Sequence, residues 1–156
     1  MKVLYNNRTR LLAEMENEFH AEYRDLNTLL AESDFVSIHV PLNGDTRQLF
    51  DVAKFSRMKT TAFLINTSRG PVVDEAALVH ALESKKLAGA GLDVFEQEPF
   101  VHSGLKRPNV VLAPHLGSAS NETRAKMAMV AAKNAVAIFQ GQRPPNMLNP
   151  EAIKSA

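Results

Sequence analysis

Ala62-Phe63-Leu64-Ile65 runs straight into Asn66-Thr67-Ser68-Arg69-Gly70-Pro71-Val72-Val73-Asp74. Four uncharged, mostly branched or aromatic residues read as a buried strand. From about Asp74 to Lys86, Ala77, Leu78 and Leu82 fall on one side of a helix. The same alternation extends outward in both directions. Upstream lie apolar runs at Val3 to Tyr5 and Phe35 to Val40, with helical spacing at Leu26, Leu29 and Leu30 and again at Val52, Phe55 and Met58. Downstream lie the runs Ala88 to Val94 and Val110 to Leu112. Near-continuous apolar strands alternating with amphipathic helices predict an α/β fold: a doubly wound parallel sheet covered on both faces.

Asn121 to about Gln140 forms a longer helix with Met127, Val130, Ala131, Ala135 and Ile138 at core spacing, Ser120 as N-cap and Gly141 as stop before Pro144-Pro145. Its length and the Pro-rich tail suggest a segment that leaves the sheet; a covering helix of the same domain is the alternative. The remaining composition narrows the class. The chain has 156 residues, 45% hydrophobic and 22% charged, the size and balance of about one globular domain. A net charge of +1 gives no reason to expect nucleic acid or an acidic membrane as partner. Absence of cysteine excludes disulfides and thiolate chemistry. No run approaches a membrane span, and Met1-Lys2-Val3-Leu4-Tyr5 lacks a signal-peptide layout, so a cytoplasmic location is expected.

Two further stretches accompany the one at Asn66 to Asp74. These are Gly89-Ala90-Gly91-Leu92-Asp93-Val94-Phe95-Glu96-Gln97-Glu98-Pro99 and Pro114-His115-Leu116-Gly117-Ser118-Ala119-Ser120. In wording, order and spacing, the three resemble the signatures of the D-isomer-specific 2-hydroxyacid dehydrogenases, in the glyoxylate/hydroxypyruvate (2-ketogluconate) reductase branch. The resemblance spans Lys2 to about Asn149. It implies an NAD(P)-dependent oxidoreductase acting on a small 2-keto or 2-hydroxy acid. Arg69 would grip the substrate carboxylate with its planar fork. His115 would be general acid in reduction and base in oxidation, and Glu98 would hold its ring and favour the protonated form. The residues alone do not separate Glu98 from Glu96; the family places its acid directly before the proline. Formate enzymes of the family carry Gln at that position, so Glu98 argues against them. The loop Phe100 to Pro108 is slightly shorter than in many relatives, which bears on how His115 is screened from water. His20, His39, His80 and His102 are read as structural, and no metal site is expected.

The resemblance also lends cofactor contacts: Asp93 to the nicotinamide carboxamide, Val40 and Pro41 beside the adenosine, and backbone of Thr67 and Gly117 near the nicotinamide. After the first strand, Asn7 stands where NAD-specific enzymes carry an acid for the ribose hydroxyls, followed by Arg8, Thr9 and Arg10. Loss of the acid with gain of guanidinium groups favours a 2′-phosphate, hence NADP (NADPH) over NAD. No GxGxxG is present; Gly89-Ala90-Gly91-Leu92-Asp93-Val94 has valine at the third position and reads as a strand. The chain therefore matches a Rossmann-like domain incomplete at its N-terminus. Residues 1–120 are expected to be the partial dinucleotide-binding domain, and 121–156 a helix and tail packing toward a substrate domain. Without the central first strand, poor dinucleotide binding is expected, together with a homo-oligomer or association with the missing N-terminal part. A catalytically inert module acting in oligomerisation or binding is the alternative. A transhydrogenase or homocysteine hydrolase domain is disfavoured by Glu98-Pro99 and Pro114-His115.

Overall fold

The computed structural model describes residues 1–152, which fall into two compact units, Met1–His115 and the residues from Leu116 onward. The first unit is an α/β arrangement in which every strand pair is parallel. Its strands are β1 (Val3–Tyr5), β2 (Ala21–Tyr23), β3 (Phe35–Ile38), β4 (Phe63–Asn66), β5 (Gly89–Leu92) and β6 (Val110–Leu112). The helices between them are α1 (Ala13–Phe19), α2 (Leu26–Glu32), α3 (Val52–Arg57) and α4 (Glu75–Glu83). All five apolar runs form strands where expected, with ends trimmed: β3 stops at Ile38 ahead of Pro41, and β5 covers only Gly89–Leu92. The short α1 and the three-residue β2 escape a reading by periodicity. No residue of α1 is buried, and Ala21-Glu22-Tyr23 is too brief to show a period.

The sheet is in two pieces. Strands β3-β4-β5-β6 form one ladder in that order, while β1 and β2 pair only with each other. Among the described residues, neither β1 nor β3 has a strand on its second edge. Each edge leaves a row of backbone donors and acceptors open to another strand.

Alternation along the strands separates the faces. Val36, Ile38, Leu64, Ala90 and Leu92 are buried and belong to one core with Leu30 of α2, Phe55 of α3, and Leu78 and Leu82 of α4. The opposite face is open: Phe35 is 63% exposed and Val111 72%. The expected covering of both faces is therefore met on one face only. On the open face Phe35 stacks on its cross-strand neighbour Phe63, ring centroids 5.4 Å apart, and both rings remain exposed. Gly89 follows in register; a Cβ there would lie 2.8 Å from the Phe63 ring and 2.4 Å from the Asn109 carbonyl oxygen. The string Gly89-Ala90-Gly91 is thus a strand packed under an aromatic ring.

The second unit holds α5 (Asn121–Phe139). Ser120 caps it, accepting from the Thr123 amide at 3.1 Å, and Gly141 leaves it at φ +70°. Its expected core positions are corrected: Met127, Val130 and Ile138 are 58%, 38% and 64% exposed, Ala131 and Ala135 are exposed as well, and only Ala137 is buried. Helical spacing identifies an apolar stripe, but among the described residues the segment after Gly141, tied by the Asn146 amide to Asn134 Oδ1 at 3.1 Å, leaves it exposed. Among the described residues, no helix is long and apolar enough to cross a membrane.

Candidate active site

The chain leaves β4 through a turn built on one buried side chain. Asn66 ends the strand at 1% exposure. A buried amide needs partners for its donors and its oxygen. Asn66 finds them in the turn: Nδ2 donates to the Arg69 carbonyl at 3.1 Å, and Oδ1 accepts from the Ser68 amide and hydroxyl, each at 3.0 Å. Arg69 is thereby held in extended backbone with an exposed guanidinium, whose Nη1 donates to the Ser68 carbonyl at 2.7 Å. The next residue must be glycine. A Cβ on Gly70 would sit 1.8 Å from the Phe95 carbonyl oxygen, so the Arg69 turn lies backbone to backbone against the turn after β5. Asn66 was legible as part of a motif but not as the organiser of the turn; an Asn followed two residues later by Ser at a strand end is the signal that marks it.

The turn after β5 presents Glu98. Its Oε1 accepts from the Phe95 amide at 3.1 Å and its Oε2 meets His115 Nδ1 at 2.8 Å. The peptide from Glu98 to Pro99 is cis. The His115 hydrogen bond, opposed by partial burial and assisted by the charges of His115 and Arg69, holds the Glu98 carboxyl below its ordinary pKa. An ionised carboxylate only accepts, so Nδ1 carries the proton of this bond and Nε2 is the nitrogen left to face a ligand. His115 follows Pro114 at φ +55°, a left-handed conformation that histidine tolerates better than branched residues and that turns the ring back toward Glu98. Both side chains remain accessible, 46% for His115 and 37% for Glu98. They open on a cavity of about 300 Å³ with apolar walls from Phe95, Pro99, Val101 and Leu112. The loop that carries Val101 is anchored to α4 by Arg107, which donates to Glu83 Oε1 at 2.5 Å and to the Gly104 carbonyl at 2.7 Å.

The remaining candidates sit as follows. Val40, half-buried against the core, and exposed Pro41 follow β3; Thr67 is exposed after β4; Asp93 follows β5 and its amide donates to the Asn66 carbonyl at 3.0 Å. These positions lie just beyond the carboxyl ends of adjacent parallel strands, where open α/β sheets take ligands. Gly117 falls in the second unit. Beyond β1, Asn7 Oδ1 accepts from the Arg8 amide at 3.0 Å, and Thr9 is exposed. Arg10 is already engaged: Nε and Nη2 donate to the two carboxylate oxygens of Glu16 at 2.8 and 2.9 Å. That pairing, with a further bond from Tyr5, lowers the Glu16 pKa to about 2. Among the described residues Arg8 has no carboxylate partner, so the two guanidinium groups are not equivalent.

Residues 1–117 match the profile of the D-isomer specific 2-hydroxyacid dehydrogenase, NAD binding domain. The chain belongs to that family. A glyoxylate reductase of Thermococcus litoralis is 51% identical over 157 residues, covering 100% of this chain and 47% of the relative. The glyoxylate/hydroxypyruvate reductase B of Escherichia fergusonii is 47% identical, covering 99% of this chain and 48% of the relative. The crystal structure of a glyoxylate reductase from Paecilomyes thermophila superposes with a TM-score of 0.83 at 39% identity, over 97% of this chain and 46% of that one. The chain thus spans about half the length of the curated relatives it matches. In this NAD-binding domain the other described histidines have local roles or none at the cavity: His20 ends α1 in left-handed backbone, His39 pairs with Ser37 Oγ at 2.9 Å, and His102 Nδ1 accepts from the Gly104 amide. His80 is exposed on α4.

Proposed function

We propose that this domain carries the proton-transfer and carboxylate-binding groups of an NAD(P)H-dependent reductase of short 2-keto acids such as glyoxylate or hydroxypyruvate. The observation that carries the reading is the 2.8 Å bond between His115 Nδ1 and an ionised Glu98, at the rim of an apolar cavity and within the field of Arg69. In reduction, the His115 imidazolium gives its Nε2 proton to the carbonyl oxygen, and Glu98 orients the ring and stabilises its charge. Arg69 holds the substrate carboxylate through two parallel N–H donors. When bound, the reduced nicotinamide supplies the hydride. Asp93, Thr67 and Gly117 are proposed at its nicotinamide end and Val40 and Pro41 at its adenosine. The residues after β1 fit a ribose phosphate, whereas a glycine turn for the pyrophosphate has no counterpart in these 156 residues.

For the coenzyme we propose NADPH over NADH, with Asn7 and Arg8 accepting the 2′-phosphate and Thr9 beside them. Arg10 reaches it only by sharing its fork with Glu16. Glu16→Gln is therefore expected to tighten binding of 2′-phosphoadenosine about two- to fivefold, the scale of one exposed ion pair. An NMR titration reads it, and unchanged affinity removes Arg10 from the phosphate site.

Residues 1–120 are proposed as part of the dinucleotide-binding domain and 121–156 as a segment that packs toward the substrate domain. We propose that the open edges of β1 and β3 are filled either by the N-terminal part of the enzyme or by a second copy. Mixing this chain with the N-terminal half of a glyoxylate reductase relative tests the function. Saturable NADPH binding and glyoxylate-dependent NADPH oxidation are expected in the mixture and little or none in the chain alone. The exposed stripe of α5 and the free edges favour a second reading, an inert association module, which requires no NADPH saturation in either sample. Light scattering of the isolated chain is expected to show association; a monodisperse monomer contradicts the edge argument.

A further inference from the structure

Glu75 is a buried carboxyl that the proton path described above does not use. It opens α4 at 7% exposure, and apart from Asn66 it is the one buried polar or charged side chain among the described residues. A carboxyl is taken out of water at a cost that persists only when it satisfies another group. A generic acid at a helix N-terminus would face its own helix or solvent. Glu75 instead reaches across the fold: Oε1 accepts from the Glu96 amide at 2.6 Å, and the Glu75 amide in return faces Glu96 Oε2 at 3.4 Å. Asp74 already serves as the helix cap, accepting from the Ala77 amide at 2.9 Å, so capping is not what Glu75 is needed for. Burial raises its pKa, opposed by the Glu96 amide.

The turn that Glu75 grips is the one that presents Glu98. Phe95 is touched by Gly70, whose missing side chain lets the Arg69 turn close on the Phe95 carbonyl. Glu96 is tied by Glu75, and Phe95 N–H in turn holds Glu98 Oε1. The segment from Gly70 to Glu75 therefore meets the Phe95–Glu96 peptide at two points, one steric and one hydrogen-bonded, between Arg69 and Glu98. We propose that Glu75 is a positioning residue: its carboxyl oxygen fixes the Glu96 amide and so sets the register of Glu98 against His115. The role rests on the proton-transfer reading of Glu98 and His115, but its geometry can be tested without turnover.

The probe is the His115 imidazole in the full 156-residue chain, followed by ¹⁵N NMR, where a carboxylate-bound Nδ1–H gives a downfield, slowly exchanging proton. Glu75→Gln keeps an acceptor oxygen and is expected to keep that signal. Glu75→Ala leaves the Glu96 amide without its partner and is expected to lose the signal, with faster hydrogen exchange at Glu96, while core methyl resonances persist. If Glu75→Ala does not fold, Glu75→Asp gives the same reading, because its shorter arm does not reach Glu96. A parent-like imidazole signal in a folded Ala or Asp variant, or its loss in the Gln variant, overturns the assignment. Failure of reconstituted reduction with these signals behaving as expected strikes at the catalytic reading alone.

Discussion

His115→Asn is expected to lower glyoxylate-dependent NADPH oxidation by the reconstituted enzyme by about 10²–10⁴-fold, the usual weight of the general acid proposed for it. Asparagine is the informative replacement because it also tolerates the left-handed backbone found at His115, φ +55°. A loss of rate then reports the missing proton donor and not a rearranged loop. The loss is expected in kcat as well as kcat/KM, since proton delivery matters at the transition state and little in substrate binding. The same variant has a second readout that needs no turnover. Glu98 is held below its ordinary pKa chiefly by the His115 hydrogen bond, so its carboxyl titrates at higher pH once His115 is gone. The sign follows from linkage. A carboxyl depressed in the folded state contributes stability that is full above its unfolded pKa and is lost as pH falls through the folded value. The parent should therefore lose this pairing on acidification, and the variant should have less of it to lose. A rate within tenfold of the parent, with Glu98 titrating as before, rules out His115 as the acid.

Arg69→Ala is expected to cost on the order of 10²–10³-fold in kcat/KM, the range for losing a charge-assisted bidentate grip on a carboxylate. Arg69→Lys separates charge from shape. Lysine keeps the positive field that reaches Glu98 but not the planar fork, so it should recover only part of the loss, mainly in KM. The turn around position 69 is expected to tolerate both replacements, because Asn66 closes it through the Arg69 backbone carbonyl and the Ser68 amide and hydroxyl, and the one side-chain bond given up is that from Arg69 Nη1 to the Ser68 carbonyl. Full activity in the lysine variant would show that a point charge suffices and that the fork is not used. An alanine variant as active as the parent places the carboxylate elsewhere.

Five apolar runs, three amphipathic helices and the Ser120 cap could be read from local chemistry, because strand and helix periods and caps are properties of a few consecutive residues. The pairing of Glu98 with His115 could be anticipated only through the family's wording. The residues by themselves offered Glu96 equally, and the structure gives the two acids different work: Glu98 meets the imidazole while the Glu96 carboxylate accepts from the Glu75 amide. Arg10 shows the opposite limit. Its charge is visible in the sequence, but its bidentate bond to Glu16, a residue of α1 that periodicity did not reveal, is not.

Apart from α1 and β2, the succession of strands and helices, and hence the α/β class, was written in the order of apolar and polar residues. Which faces are covered, where the sheet divides, and which carboxylate reaches which partner depended on contacts between residues far apart in the chain. Phe35 and Val111 read as core by their chemistry yet stand open, since burial is conferred by whatever packs above a side chain and not by the side chain itself.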